Sequence, residues 1–333
     1  MPSAPLDPDV TVTRIALGSC YDPYRPGDIF DQVMATDPDF FVFLGDNVYA
    51  KTEEDDPELK SLVEAYAALA ADPHFRALRA AVPVLPIWDD HDYGLDDAGG
   101  DWPHKLTAEA LYEHVWAIAD NDPRAQRPGT YFAEILGPVG RRVQVILLDT
   151  RFFRSPLSRA PAGSRQRYTP SDDPDQNMLG EAQWRWLENE LRKPAELRII
   201  VSTLMLMAEN HHLESWQNLP QEKQRLINLV HSTEAEGVVF ASGDSHAGAL
   251  FQADDVGTYP LHELNASSMN VPLTLFVPEP SFPAERYRDG EPFASANFGL
   301  IDIDWAAGNM TLRLLDEAGN AVREAIVPIT SLR

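Results

Sequence analysis

Side chains that can bind metal ions follow five apolar stretches of the sequence, each directly where the stretch ends. The five segments are Gly18-Ser19-Cys20, Gly45-Asp46-Asn47-Val48-Tyr49, Asp89-Asp90-His91-Asp92, Asp149-Thr150-Arg151 and Gly243-Asp244-Ser245-His246. Carboxylate, imidazole, thiolate and phenolate groups are the usual protein ligands of metals. A single ending of this kind is most often only a turn, but five together indicate metal-dependent chemistry.

These segments need a scaffold that brings distant parts of the chain together. Apolar runs of strand length alternate with helical patterns, which is typical of an α/β fold, where ligands bind beyond the carboxyl ends of strands. The predicted strands are Val12–Leu17, Phe40–Leu44, Val82–Trp88, Tyr131–Ile135, Val143–Leu148, Arg198–Thr203, Gly237–Ser242, Leu250–Ala253, Leu261–Asn265, Gly299–Ile303 and Met310–Leu315. The predicted helices are Pro57–Leu69, Lys105–Ile118, Glu181–Leu191 and Gln221–Ser232.

Two polar, proline-containing stretches, Ser155–Met178 and Asn270–Pro292, are predicted to be long loops of the lid or binding type. No change of composition marks a linker. The sequence therefore predicts a single domain over residues 1–333.

The acidic composition limits the classes of partner. The chain of 333 residues has 52 acidic and 27 basic residues, a net charge of -25. Repulsion from anionic polymers argues against a nucleic acid or a membrane surface as partner, and no protein partner is implied. A small anionic substrate is compatible with this net charge if bound cations reverse the sign of the electrostatic field in an acidic cleft. The excess of acidic residues therefore favours a metal-dependent protein.

Cys20 is the single cysteine, which excludes an internal disulfide. No run approaches the roughly 18 apolar residues of a membrane helix. The first residues lack the pattern of a signal peptide, which favours a cytoplasmic location unless a leader was removed.

The five segments resemble those of the PhoD-like phosphatases, the alkaline phosphatase D family within the calcineurin-like metallophosphoesterase superfamily. The Trp88-Asp89-Asp90-His91 and Gly45-Asp46-Asn47-Val48-Tyr49 runs are the specific ones, and Leu179 to Trp184 and Glu214 to Trp216 corroborate them. The resemblance implies a four-layer α/β/β/α sandwich of the metallophosphoesterase type, with two metal ions at one edge of the sheets.

The resemblance also implies the ligands of the first ion. Asp46 bridges both ions, because its two oxygens suit the separation of about 3.5–4 Å in two-metal sites. Tyr49 binds the first ion as a phenolate, Cys20 replaces a ligand of the first strand, and His246 completes the set. Thiolate and phenolate together favour Fe³⁺.

Asp90 and Asp244 hold the second ion with Asp46 in the same reading. They stand where the wider superfamily has an asparagine and a histidine, so this second set contains only oxygen donors. Oxygen donors suit Ca²⁺, with Mn²⁺ or Zn²⁺ as alternatives.

His91 is the candidate catalytic residue, because in the superfamily this histidine protonates the leaving group or binds phosphate; the alternative is a turn histidine held by Asp89 or Asp92. Arg151 is a candidate phosphate-binding residue, with two parallel hydrogen bonds to the substrate. A structural ion pair is an equally good account of Arg151.

The predicted function is hydrolysis of small phosphate diesters or monoesters, by attack of a hydroxide held between two metal ions. The scarcity of basic residues near the motifs favours diesters or broad specificity. The alternatives are a non-catalytic metal- or phosphate-binding module on the same fold and a calcium-stabilised structural domain, for which Cys20 and Tyr49 would be unexpected.

Overall fold

The computed structural model describes residues 1–53 and 55–333. Within that part of the chain, the strands are β1 (Arg14–Gly18), β2 (Phe40–Leu44), β3 (Val84–Ile87), β4 (Phe132–Leu136), β5 (Val143–Leu148), β6 (Leu197–Ser202), β7 (Val238–Ser242), β8 (Gly248–Ala253), β9 (Leu261–Asn265), β10 (Arg288–Phe293), β11 (Asn297–Asp304), β12 (Asn309–Asp316) and β13 (Ala321–Pro328). The helices are α1 (Ile29–Ala35), α2 (Lys60–Ala71), α3 (Pro73–Ala81), α4 (Asp90–Tyr93), α5 (Lys105–Val115), α6 (Gly180–Leu191) and α7 (Pro220–Ser232). Among these helices, none has both the length and the apolar character needed to cross a bilayer.

The strands form two mixed sheets. The six-stranded sheet has the order β13-β12-β11-β1-β2-β3, and the seven-stranded sheet has the order β10-β8-β9-β7-β6-β5-β4. Strands β1, β2 and β3 are parallel, and so are β5, β6, β7 and β9. Their carboxyl ends therefore gather at one edge of each sheet, where the chemically active segments begin.

The layers follow from the alternation of side chains along the strands. In β2, Phe40, Val42 and Leu44 pack into a core shared with the second sheet, while Phe41 and Phe43 point to the opposite face. That opposite face packs against α1, α2, α3 and α5, whereas α6 and α7 cover the second sheet. This arrangement is the four-layer α/β/β/α sandwich, so the predicted fold class is confirmed.

Five regular elements were not predicted, and one of them is the four-residue helix α4. Helix α1 has only seven residues and α3 only nine, although Asp72 caps α3 by accepting the backbone N–H groups of His74 and Phe75. Strand β10 begins near the end of the predicted loop Asn270–Pro292 and ends at Phe293. Its sequence has no apolar pattern that would predict a strand, and pairing with β8 stabilises it. Strand β13 likewise forms by pairing with β12.

Candidate metal centre

The six candidate ligands come from both sheets. Cys20 follows β1, Asp46 and Tyr49 follow β2, Asp90 follows β3, and the remaining pair, Asp244 and His246, follows β7. The first four belong to the six-stranded sheet and the last two to the seven-stranded sheet. The facing edges of the two sheets therefore form the candidate site.

A cluster of acidic side chains forms the centre of this edge. Asp46, Asp90 and His91 each offer a ligand atom within 4.8 Å of the others, and Asp89, Asp90 and Asp244 do the same. Asp90 belongs to both groups and connects them. The predicted oxygen donors Asp46, Asp90 and Asp244 thus lie together.

Of the other three candidates, Tyr49 contacts Asp46 directly and His246 contacts Tyr49, while Cys20 is buried nearby. The Tyr49 hydroxyl donates to Asp46 Oδ2 at 2.7 Å and lies 3.5 Å from Nε2 of His246. The fully buried Cys20 lies 3.1 Å from the Ser267 hydroxyl through its Sγ atom. Proximity to Asp46 helps to raise the pKa values of both Cys20 and Tyr49, after the larger effect of burial.

His246 has a defined tautomer. Its Nδ1 lies 2.5 Å from the carbonyl oxygen of Val271, and a carbonyl can only accept, so Nδ1 carries the hydrogen. The neutral ring therefore presents the lone pair of Nε2 towards Tyr49 and Asp46. This is the orientation that a metal-binding histidine requires.

Four of the six candidates have left-handed backbone conformations. The φ angles are 56° at Cys20, 50° at Asp46, 61° at Asp244 and 55° at His246. Residues other than glycine adopt this region rarely, at a cost of about 1–2 kcal/mol each. Such conformations concentrate at functional sites, where the surrounding structure enforces them.

The centre contains more buried negative charge than its basic residues balance. Burial, followed by the charges of Asp90 and Asp89, raises the pKa of Asp46. The pKa of Asp244 is also raised, by burial and then by Asp89. In addition, Asp89 Oδ2 and Asp90 Oδ1 are buried without a hydrogen-bond partner. Bound cations would balance the buried negative charge and would also contact the carboxylate oxygens that have no hydrogen-bond partner. The set of donor atoms therefore fits metal ions.

Arg151 lies beneath this cluster. Its side chain is fully buried, its Nε donates to Asp89 at 2.5 Å, and its other nitrogens reach Asp90 at 3.8 Å and Glu214. Arg154 pairs with the same Glu214 at 2.9 Å. The geometry therefore supports the ion-pair account of Arg151, and its contact with substrate stays a prediction.

His91 lies at the solvent side of the cluster. Its backbone N–H donates to Asp46 Oδ1 at 3.3 Å, and its ring stacks on Tyr49 with centroids 4.2 Å apart. The partly exposed ring lines an open groove of about 620 Å³. The other residues of this groove are Asp22, Tyr24, Tyr49, Ala50, Lys51, Ser61 and Glu64.

Several supporting residues were not assigned roles from the sequence. The buried Asp92 accepts backbone hydrogen bonds from Asn47 at 3.2 Å and Asp89 at 2.6 Å, and burial raises its pKa to about 8. Thr203, after β6, donates to Asp89 at 2.8 Å and so links the two sheets. The run of aspartates after β3 indicated that this segment belongs to the site. The contacts that each aspartate makes depend on the tertiary structure and could not be predicted from the run itself.

Two solved structures share this architecture. The structure of PhoD matches all of this chain and 72% of its own chain, with a TM-score of 0.73 and 18% identity. A purple acid phosphatase from yellow lupin (Lupinus luteus) seeds matches 95% of this chain and 54% of its own, with a TM-score of 0.60 and 12% identity. At these identities the likeness shows the fold, which is that of the metallophosphoesterase class.

Within this class, the chain belongs to the PhoD-like phosphatase family, whose model matches residues 15–314. The sequence is also 24% identical over 243 residues to alkaline phosphatase D of Bacillus subtilis (strain 168). That match covers 65% of this chain and 40% of the relative. The chain thus spans less than half the length of this curated relative.

Proposed function

We propose that this protein hydrolyses phosphate esters, diesters or monoesters, at a centre of two metal ions. The observation that carries the proposal is the meeting of carboxylate, phenolate, thiolate and imidazole side chains in one over-acidic cluster between the two sheets. The resemblance to a protein named alkaline phosphatase D supports the same reaction class.

The donor types divide into two sets. Cys20, Tyr49 and His246 would hold one ion with Asp46, and the soft thiolate beside a phenolate favours Fe³⁺. Asp90 and Asp244 would hold the other ion with Asp46, and their oxygens favour Ca²⁺, with Mn²⁺ or Zn²⁺ as alternatives. The contact between Tyr49 and Asp46 and the cluster of Asp90 with Asp244 support this division.

The ions, when bound, would neutralise the phosphoryl oxygens and lower the pKa of a water molecule. The protein positions the reactants around them. Arg151 holds the carboxylate of Asp89 by a hydrogen bond and lies 3.8 Å from Asp90, and Asp92 fixes the backbone of Asn47 next to Asp46. His91 faces the groove, where an imidazole nitrogen donates a proton to the departing ester oxygen.

Metal analysis and visible spectroscopy test this proposal. Protein purified without chelators should contain about one iron and one divalent ion per chain and hydrolyse nitrophenyl phosphate esters. Since ferric phenolates and ferric thiolates both absorb visible light, Tyr49→Phe should weaken and shift the visible band, whereas Tyr24→Phe, in the exposed wall of the groove, should leave it unchanged. Protein that stays metal-free and inactive after loading with iron, calcium, manganese or zinc would contradict the proposal.

Replacement of His91 separates catalysis from metal binding. We expect His91→Ala to lower kcat by about 10²–10⁴-fold, the usual contribution of a general acid, while both ions remain bound. The exposed His114 at the end of α5 offers a matched control, and His114→Ala should behave like the wild type. Full activity of His91→Ala would assign proton transfer to another group, and a metal-loaded wild type without turnover would favour a non-catalytic module.

A further inference from the structure

Three consecutive apolar residues are exposed beside the candidate centre. The exposed fractions of Leu275, Phe276 and Val277 are 49%, 61% and 44%. Single exposed apolar residues are ordinary, but a contiguous group next to a site is typical of a binding surface. These three residues are named here the 275–277 platform.

The platform is fixed to His246 by backbone hydrogen bonds. Leu273 donates its N–H to the carbonyl of His246 at 2.8 Å, and His246 in turn donates from Nδ1 to Val271. Phe276 and Val277 both donate their N–H groups to Leu273, which closes a short turn. The exposed side chains are therefore held in a defined position relative to a candidate ligand.

A row of aromatic rings connects the platform with the proposed acid. The ring of Phe276 lies edge-on to His246 at 5.7 Å, His246 lies 6.1 Å from Tyr49, and Tyr49 lies 4.2 Å from His91. Beyond His91, the groove contains Tyr24, which is 66% exposed. Exposed aromatic surfaces thus lie near the candidate centre at two places, Phe276 and the groove at Tyr24.

The charge of the surroundings favours a substrate with a single negative charge. Asp22 and Glu64 line the groove, and among the lining residues that the structure describes Lys51 and His91 are the basic ones. Apart from the proposed metal ions, a dianionic terminal phosphate would find few cationic side chains to contact in this groove. A phosphodiester carries one negative charge and two organic arms, and the exposed rings of Phe276 and Tyr24 offer two surfaces near the centre that could contact such arms.

We infer that the 275–277 platform binds the apolar organic arm that a phosphodiester retains, while the departing arm occupies the groove at His91. This inference rests on the proposed function and gives it a substrate class, namely diesters with an aryl or alkyl arm. Phe276 is then a specificity-determining residue, because its exposed ring is available to stack on an aromatic arm.

Two diesters with the same leaving group test the inference: methyl p-nitrophenyl phosphate and phenyl p-nitrophenyl phosphate. We expect Phe276→Ser to lower the phenyl-to-methyl ratio of kcat/KM by about three- to tenfold, through KM, as loss of one aromatic contact predicts. Phe276→Leu should retain part of the preference. Val139→Ser, at an 84% exposed position between β4 and β5, is the control and should keep the wild-type ratio.

The possible outcomes separate the two proposals. A phenyl-to-methyl ratio that Phe276→Ser leaves unchanged, in a protein that hydrolyses both diesters, overturns the inference and leaves the proposed function intact. Metal-loaded wild-type protein that hydrolyses neither diester, while it hydrolyses a nitrophenyl monoester, overturns the inference alone. Failure on all three esters overturns both proposals.

Discussion

Asp46→Asn is expected to lower kcat/KM for phosphate esters by at least about 10³-fold, because a two-metal centre contributes several kcal/mol and each 1.4 kcal/mol is tenfold. Asp46 belongs to both proposed ligand sets, between Tyr49 and the Asp90 cluster. Asparagine offers one neutral oxygen in place of a charged bridging carboxylate. Metal analysis should accordingly find one ion or fewer per chain.

The asparagine variant is expected to fold, because asparagine tolerates the left-handed backbone of this position as well as aspartate does. Asp37 provides a matched control, since it is an exposed aspartate with a φ of 52°, close to the 50° of Asp46. Asp37→Asn should change neither metal content nor turnover. If Asp46→Asn keeps two ions and half the wild-type activity, Asp46 does not bridge them.

Arg151→Ala is expected to destabilise the protein by about 3–5 kcal/mol, the usual cost of leaving buried charges without their partner. The substitution removes the cation that Asp89, Asp90 and Glu214 share in a fully buried position. Urea unfolding, followed by tryptophan fluorescence and circular dichroism, measures the change through the shift of the midpoint at constant slope.

The surface pair between Arg192 and Glu188 provides the comparison for Arg151. Both side chains are about half exposed, so Arg192→Ala should cost only about 0.3–0.5 kcal/mol. A loss below about 1 kcal/mol for Arg151→Ala would show that the three carboxylates find other partners or become protonated. In that case the account of Arg151 as the residue that holds Asp89 and Asp90 is wrong.

Three strands were predictable to the residue, and two of them, β2 and β5, have a nearly continuous apolar sequence. The bounds of β2, β5 and β9 agree with the predicted Phe40–Leu44, Val143–Leu148 and Leu261–Asn265, because all their residues are buried. Strand β10 has no such pattern, and neighbouring strands rather than its own residues determine it. The interior strands of the sheets are therefore more predictable from the sequence than the edge strands.

In the candidate site, too, some residues could be predicted from the sequence and others could not. The segments that contain Asp46, Asp90 and Asp244 were singled out because each follows a buried strand and the carboxyl ends of such strands converge, while the choice of these three aspartates within the segments came from the family resemblance. The partnership of Arg151 with Glu214 was not predictable, since the two residues lie in different loops and no local pattern joins them. The ring contact between His246 and Phe276 depends in the same way on a loop whose course the sequence left open.

The left-handed conformations of Cys20, Asp46, Asp244 and His246 have an evolutionary consequence. Glycine would relieve the backbone at each position, so selection for stability alone would favour its appearance there. Only a requirement for the side chains opposes this drift. Descendants of this chain that no longer hydrolyse esters should therefore accumulate glycine or asparagine at these four positions and gain thermal stability as they lose the site.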